Sequence, residues 1–379
     1  MKLTKREKKV LGWLAYGLFL LTICEIALRV YLVQFADPSR FLQYASRSML
    51  KSRLSEPMNV PHFYLGYHNN PEYENETDFH NSHGFRGKEI SLKKSEDIFR
   101  IVCIGGSTTY GSGVDDYRQS YPYLLQQKLN SLGAQVEVIN AGVQGYNTLQ
   151  SYLNYILKIE DLEADMLIVY HAFNDVFTRM VWPATAYKAG QSGQITISHP
   201  GNDGILRKLS IFRVPLVFSG AISPIGSWNE IEVEVDTYHG TEFVRQLINE
   251  KYPSGIFESV PIDSILQTNR PFFFKRNLNK LIREAKGNGT QVVLASVIYS
   301  DQEPEFMHVL KSSAYQKAIS EHNAITRDLA IEHDLILLDF EKDIPAQNEW
   351  FTDGMHFNFL GNQKRAEKIS ELLLPLIDK

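Results

Sequence analysis

Cysteine is almost missing from this sequence: 379 residues carry only Cys24 and Cys103. One falls in an apolar N-terminal run and the other in a strand-like run, so they support neither a disulfide framework nor a thiolate zinc site. Both read as buried small hydrophobes. An excess of positive charge is missing as well, since 39 Lys and Arg face 44 Asp and Glu for a net charge of -5. That balance argues against a nucleic-acid partner, which draws a basic face. Short internal repeats are not evident. No Gly-x-Gly-x-x-Gly and no glycine loop ending in Gly-Lys-Ser/Thr occurs where a phosphate cradle would need it. The sequence thus calls for no cofactor and no metal.

A long run without charge is present at the N-terminus. Lys2, Lys5, Arg6, Lys8 and Lys9 precede Val10 to Cys24, which carry no charge. Extended to Val33, the run would be about 36 Å long as a helix, against about 30 Å of membrane hydrocarbon. Glu25 and Arg29 fall inside it, one turn apart, and can pair at i,i+4 or sit near the interface. No small-x-small cleavage site follows, which favours an uncleaved signal anchor over a removed signal peptide. The basic cluster is expected to stay cytoplasmic. The reading is a single pass with the membrane as partner through residues 10–33 and everything beyond about residue 35 extracytoplasmic. The alternative is a soluble amphipathic helix packed on the domain.

Three segments follow from the pattern: 1–33 as basic tail and anchor, 34–97 as a loop-rich connection, and 98–379 as the main domain. In the connection, "HNSHGFRGKE" (His80 to Glu89) has two histidines at metal-like spacing, but no further ligands complete a site. A satisfied surface or loop histidine is the simpler reading of each. From Arg100 apolar runs alternate with amphipathic helical stretches. "RIVCIG", "QVEVINAG", "ADMLIVY", "TQVVLASVIY" and "LILLDF" read as strands. The expected fold is a three-layer α/β/α sandwich on a parallel sheet of about five strands. The interval 176–270 breaks this rhythm and is too long for an ordinary connection. It reads as an insertion that covers or shapes a substrate site.

In an open parallel sheet the working residues gather beyond the carboxyl ends of the strands. The first strand runs into "GGSTTYG" with Ser107, the second into "NAGVQGYN" with Gly142, and the third into "HAFND" with Asn174. After the last strand comes "WFTDGMHFNFLG", in which Asp353 and His356 are three apart. A serine nucleophile needs a base and an orienting acid, which can lie far away in sequence. These four blocks, in this order, resemble the SGNH (GDSL-like) hydrolase superfamily from about Arg100 to the end of the chain. The anchor followed by "NSHGFRG" resembles a membrane-anchored bacterial subgroup. The resemblance implies a triad of Ser107, His356 and Asp353. It also implies an oxyanion hole of the Ser107 amide, the Gly142 amide and the Asn174 side chain. Two departures stand out. Gly-Asp-Ser is replaced by Gly105-Gly106-Ser107, and the Gly-x-Asn-Asp block begins with Ala172. Neither alters a reacting group.

Simpler roles compete at each position. Ser107 or Asp353 could only cap a helix, Asn174 could form an Asx-turn, and Gly142 could serve a tight turn. His171 reads as a hydrogen-bonded core histidine, Asp175 as a brace beneath Asn174, and Arg86 as a structural ion pair rather than a substrate contact. The implied activity is a membrane-anchored serine esterase that removes acyl, or acetyl, groups from an extracytoplasmic substrate such as a glycan. Two alternatives remain open at this level. One is an O-acyltransferase that passes the same acyl group to a polysaccharide; the other is a non-catalytic tethered binding protein.

Overall fold

Five apolar runs become the five strands of one parallel sheet. The computed structural model describes residues 4–46, 49, 58–189, 208–222, 260–300 and 313–377. A hairpin, β1 (Asn59–His62) and β2 (Gly66–Asn69), precedes the sheet strands β3 (Phe99–Gly105), β4 (Val136–Asn140), β5 (Met166–Tyr170), β6 (Gln291–Ala295) and β7 (Ile336–Leu338). Their order is β4-β3-β5-β6-β7, all parallel. The strands are mostly apolar because both faces are covered. Ile101, Cys103, Met166, Ile168 and Val293 pack on one side with Leu125, Leu129, Ile369 and Leu373. Val102, Ile104, Leu167, Val169 and Leu294 pack on the other with Tyr155, Ile159, Leu278 and Leu281. Helices Tyr121–Ser131 and Phe359–Ile377 thus cover one face, and the turn Tyr155–Ile159 and helix Phe272–Gly287 the other. This is the expected three-layer sandwich.

The chain divides into two compact units, Met1–Pro57 with Ile197–Glu230, and Met58–Thr196 with Ile231–Lys379. The sheet belongs to the second. The first holds the helix Lys5–Val30, the π-helical turn Tyr31–Phe35, and the helices Pro38–Tyr44 and Ser210–Phe218. Thr4 and Glu7 form a capping box at its start, as an uncharged run after polar residues favours. Lys5–Phe35 is long and apolar enough to cross a membrane, with a mean hydropathy of 1.9 and none of its apolar window buried. Cys24 is therefore exposed, contrary to the expectation of a buried residue, because the helix keeps its side chains outside any protein core. Glu25 and Arg29 do pair, at 2.5 Å. Glu25 also accepts the Ser210 and Ile211 amides at 2.9 Å each, capping the helix Ser210–Phe218. Two charges in an apolar helix are thereby matched.

Most of the interval 176–270 lies outside the described residues, at 190–207 and 223–259. Its remaining parts include the helix Ser210–Phe218 in the first unit and, in the second, the end of the helix Phe173–Arg179, the turn Ala184–Ala186 and the helix Ile262–Thr268. In the connection, residues 59–90 are more ordered than their composition suggests. The Arg86 amide donates to Asn140 O at 3.3 Å and so covers part of the β4 edge, which would otherwise present open pairing groups.

Candidate active site

Ser107 stands where β3 leaves the sheet. Gly106 caps the one-turn helix Ser107–Tyr110, which puts Ser107 at its first position. A side chain on Gly106 would bring a Cβ to 2.6 Å from Asn174 Nδ2 and 3.0 Å from Tyr146 O. The glycine thus admits protein atoms, the amide of Asn174 among them, against the backbone beside Ser107.

The turn after Phe351 supplies the other two groups. His356 Nε2 lies 2.7 Å from Ser107 Oγ, and His356 Nδ1 lies 2.5 Å from Asp353 Oδ2. Asp353 is a pure acceptor when ionised, so Nδ1 carries the proton and Nε2 is left to accept from the Ser107 hydroxyl. Asp353 Oδ1 accepts the His356 and Met355 amides at 2.8 and 3.1 Å. One carboxylate therefore folds the turn and orients the ring, which is why a spacing of three suffices. Burial pushes the Asp353 carboxyl up, but the hydrogen bonds and charge from His356 and the two amides outweigh it, and its pKa is lowered. Both side chains remain partly open, at 16% for His356 and 18% for Asp353.

Gly142 and Asn174 differ from each other. Asn174 Nδ2 donates to Tyr146 O at 2.8 Å, which spends one of its two hydrogens. Asn174 lies in the first turn of the helix Phe173–Arg179 and makes no Asx-turn there. The Gly142 amide instead donates to Asn140 Oδ1 at 3.1 Å, and Gly142 O accepts from Asn69 Nδ2 at 3.0 Å. A Cβ on Gly142 would stand 2.3 Å from the Tyr110 amide nitrogen. Its lack of a side chain lets the β4 turn press on the serine-bearing helix, but its N–H is already taken, contrary to the open donor expected. Gly145, three residues on in the same turn, has φ +77. Its amide and that of Ser107 have no acceptor among the described residues.

The other singled-out residues are structural. Asp175 accepts from Thr148 N and from Thr148 Oγ1, the latter at 2.5 Å, tying two helices together beneath Asn174. Burial pushes it up to about 7. His171 bonds Ser151 Oγ at 2.8 Å, and burial holds its pKa down to about 3. Arg86 pairs with Asp78 at 2.7 Å and donates to the carbonyls of Tyr110, Gly111 and Val114. It clamps the loop that follows the serine helix. His80 is buried rather than at the surface, between Asn70 O at 2.8 Å and Tyr110 Oη at 2.9 Å. Sequence reasoning missed Arg365. Its guanidinium lies 3.6 Å over the Tyr121 ring and 3.8 Å over Tyr170, and donates to Thr108 O at 3.0 Å. An arginine on the apolar face of the last helix was the available signal.

This arrangement can activate a hydroxyl and receive the negative charge that develops on a carbonyl oxygen. Among the described residues no group of three or more His, Cys, Asp or Glu could hold a metal ion. Compared with known proteins, residues 103–364 match the model of the GDSL-like lipase/acylhydrolase family. No curated protein matches the chain. Among solved structures, a lipase/acylhydrolase from Enterococcus faecalis is similar at 17% identity and a TM-score of 0.41, covering 73% of this chain and 95% of its own. An acetyl xylan esterase is similar at 16% identity and a TM-score of 0.41, over 72% and 99%. A psychrotrophic esterase from a Pseudoalteromonas species is similar at 10% identity and a TM-score of 0.40, over 74% and 100%.

Proposed function

The chain belongs to the GDSL-like lipase/acylhydrolase family and is a serine ester hydrolase; from that premise we propose that Ser107, His356 and Asp353 are its triad, and that it is a membrane-anchored esterase acting on an extracytoplasmic acyl ester such as an acylated glycan. The observation that carries the site is the unbroken contact from Asp353 Oδ2 through the His356 ring to Ser107 Oγ. As Ser107 Oγ attacks the acyl carbon, its proton passes to His356 Nε2, and Asp353 stabilises the imidazolium that forms. The carbonyl oxygen becomes an oxyanion. Its donors are the Ser107 amide, the remaining Asn174 N–H and the Gly145 amide, which replaces Gly142. When the C–O bond breaks, the departing alcohol takes the proton from His356. Water then attacks the acyl-serine by the same route, which frees the acid and restores Ser107.

The anchor reading rests on a helix that is apolar on every side and buries none of its residues, as a membrane span does and an amphipathic surface helix does not. Its basic start supports an extracytoplasmic domain. Both parts are tested by spheroplasts carrying the full chain and given a membrane-impermeant acyl ester. Wild type is expected to release the acyl group without lysis, and Ser107→Ala to lose the activity while keeping its fold. Activity that appears only after lysis would contradict the topology; activity retained in Ser107→Ala would contradict the site.

A further inference from the structure

The second glycine of "NAGVQGYN" carries an amide whose aim is set from far away in the sequence. Val143 to Tyr146 form a tight turn, closed by the Tyr146 amide on Val143 O at 3.2 Å. Gly145 is its third residue and has φ +77, the value a type II turn requires there and glycine supplies without strain. Types I and II differ by a flip of the central peptide. Here that peptide joins Gln144 to Gly145. A trans peptide points its C=O and its N–H in opposite directions. The group that holds the Gln144 carbonyl therefore also aims the Gly145 amide.

That group comes from β2. Tyr67 is buried, and its Oη donates to Gln144 O at 2.6 Å. Its ring lies edge-on to Tyr146, with centroids 5.4 Å apart, and Tyr146 Oη donates back to Tyr67 O. Two residues on, Asn69 Nδ2 donates to Gly142 O and to Gly84 O, each at 3.0 Å. The hairpin thus grips the segment at Gly142 and again at Gln144. The same turn also touches the residues that lead into Ser107. The Val143 amide donates to Gly105 O at 3.1 Å. Tyr146 O accepts from Asn174 Nδ2 at 2.8 Å and would stand 3.0 Å from a Cβ on Gly106. Gly145 is bracketed by these contacts, and its own amide has no acceptor among the described residues.

We infer that Tyr67 is a positioning residue of the oxyanion hole: its hydroxyl fixes the Gln144–Gly145 peptide so that the Gly145 N–H faces the oxygen of the reacting acyl group. The inference rests on the reading of Gly145 as an oxyanion donor and goes beyond it by assigning the aim of that donor to the hairpin. Without the hydroxyl, Gln144 O loses its partner. The peptide can then turn over towards the type I arrangement, which carries the Gly145 N–H away from the oxyanion. A donor that must be re-aimed during the reaction stabilises the oxyanion less than one already in place.

Gln144–Gly145 is the sole Gln-Gly pair in the sequence. The full chain in detergent micelles, labelled with carbonyl-carbon-13 glutamine and nitrogen-15 glycine, therefore gives one carbonyl-correlated amide signal, that of Gly145. An organophosphonate adduct on Ser107 places a phosphoryl oxygen where the oxyanion forms. In wild type the Gly145 proton is expected to move downfield when the adduct forms, as a new hydrogen bond requires. Tyr67→Phe keeps the ring and removes one hydroxyl. There the shift should fall by about half or more, and kcat for p-nitrophenyl acetate should drop about tenfold or more with KM close to wild type. Tyr67→Leu, which lacks the ring as well, should lose kcat to the same degree and also melt at a lower temperature. Rate would then follow the hydroxyl and stability the ring. A wild-type signal that the adduct leaves unmoved would remove the Gly145 amide from the oxyanion hole and overturn the inference with it. A wild-type shift retained in Tyr67→Phe, or an undiminished kcat in that variant, would overturn the role of Tyr67 alone and leave the Gly145 donor standing.

Discussion

Asn174 and Gly142 are the two residues at which contact geometry separates rate from stability. Asn174 spends one amide hydrogen on Tyr146 O and has a second to offer a developing oxyanion. Removing such a donor lowers turnover by about 100- to 1000-fold. Asn174→Ala is thus expected to lower kcat by that order, with KM and the melting temperature close to wild type. Gly142→Ala should do the reverse, because a Cβ 2.3 Å from a backbone nitrogen cannot be housed without moving the serine helix. Its thermal melt should shift down, with any loss of rate following the loss of fold. Steady-state kinetics beside thermal melts of both variants decide the matter, and a near-wild-type kcat in Asn174→Ala would remove it from the oxyanion hole. The sequence supplied two glycines three apart in one turn. It could not tell which amide was free, because that depends on whether Asn140 turns its side chain inward.

The segment 59–90 shows what periodicity misses at the scale of an element. Its polar residues follow no helical or strand period over most of their length, so they read as loop, yet Asn69, Asp78, His80, Asn81 and Arg86 are all buried. Several of their hydrogen bonds run to partners far along the chain, from Asn69 to Gly142 and from His80 and Arg86 to Tyr110, and such partners leave no local pattern. This has a consequence in acid. Burial, with repulsion from Arg86, Lys158 and His68, outweighs the hydrogen bond to Asn70 and holds His80 down to about 4 in the fold, against about 6.5 in an unfolded chain. Between those values the unfolded state binds the proton that the folded state refuses, so the stability His80 contributes is present above about pH 6.5 and lost as pH falls towards 4. At most this is about 1.4 kcal/mol per pH unit for one group. Urea unfolding at pH 7, 6 and 5 should show a shallower loss in His80→Gln than in wild type. Equal slopes would contradict a neutral, buried His80.

Across the whole molecule, the sheet was legible because parallel strands covered on both faces are continuous apolar runs, and Ile101 to Ile104 or Met166 to Tyr170 can hardly be anything else. The helices between them followed from amphipathic spacing. The blocks that carry Ser107, Asn174, Asp353 and His356 follow from the rule that chemistry gathers beyond the strand ends. Arg365 was not legible in that way. Its cage of Tyr121, Tyr170, Phe340 and Phe357 is assembled from separate parts of the chain, and only packing brings the rings around one cation. The N-terminal helix was legible by composition, but its link to Ser210 through Glu25 was not. The central claim is that this scaffold holds Ser107 as an activated nucleophile. Its most direct test is to treat the folded full chain with an organophosphonate ester probe and map the adduct by peptide mass spectrometry. The account predicts a single adduct on Ser107, formed much more slowly in His356→Ala; an adduct elsewhere, or labelling undiminished in Ser107→Ala, would contradict it.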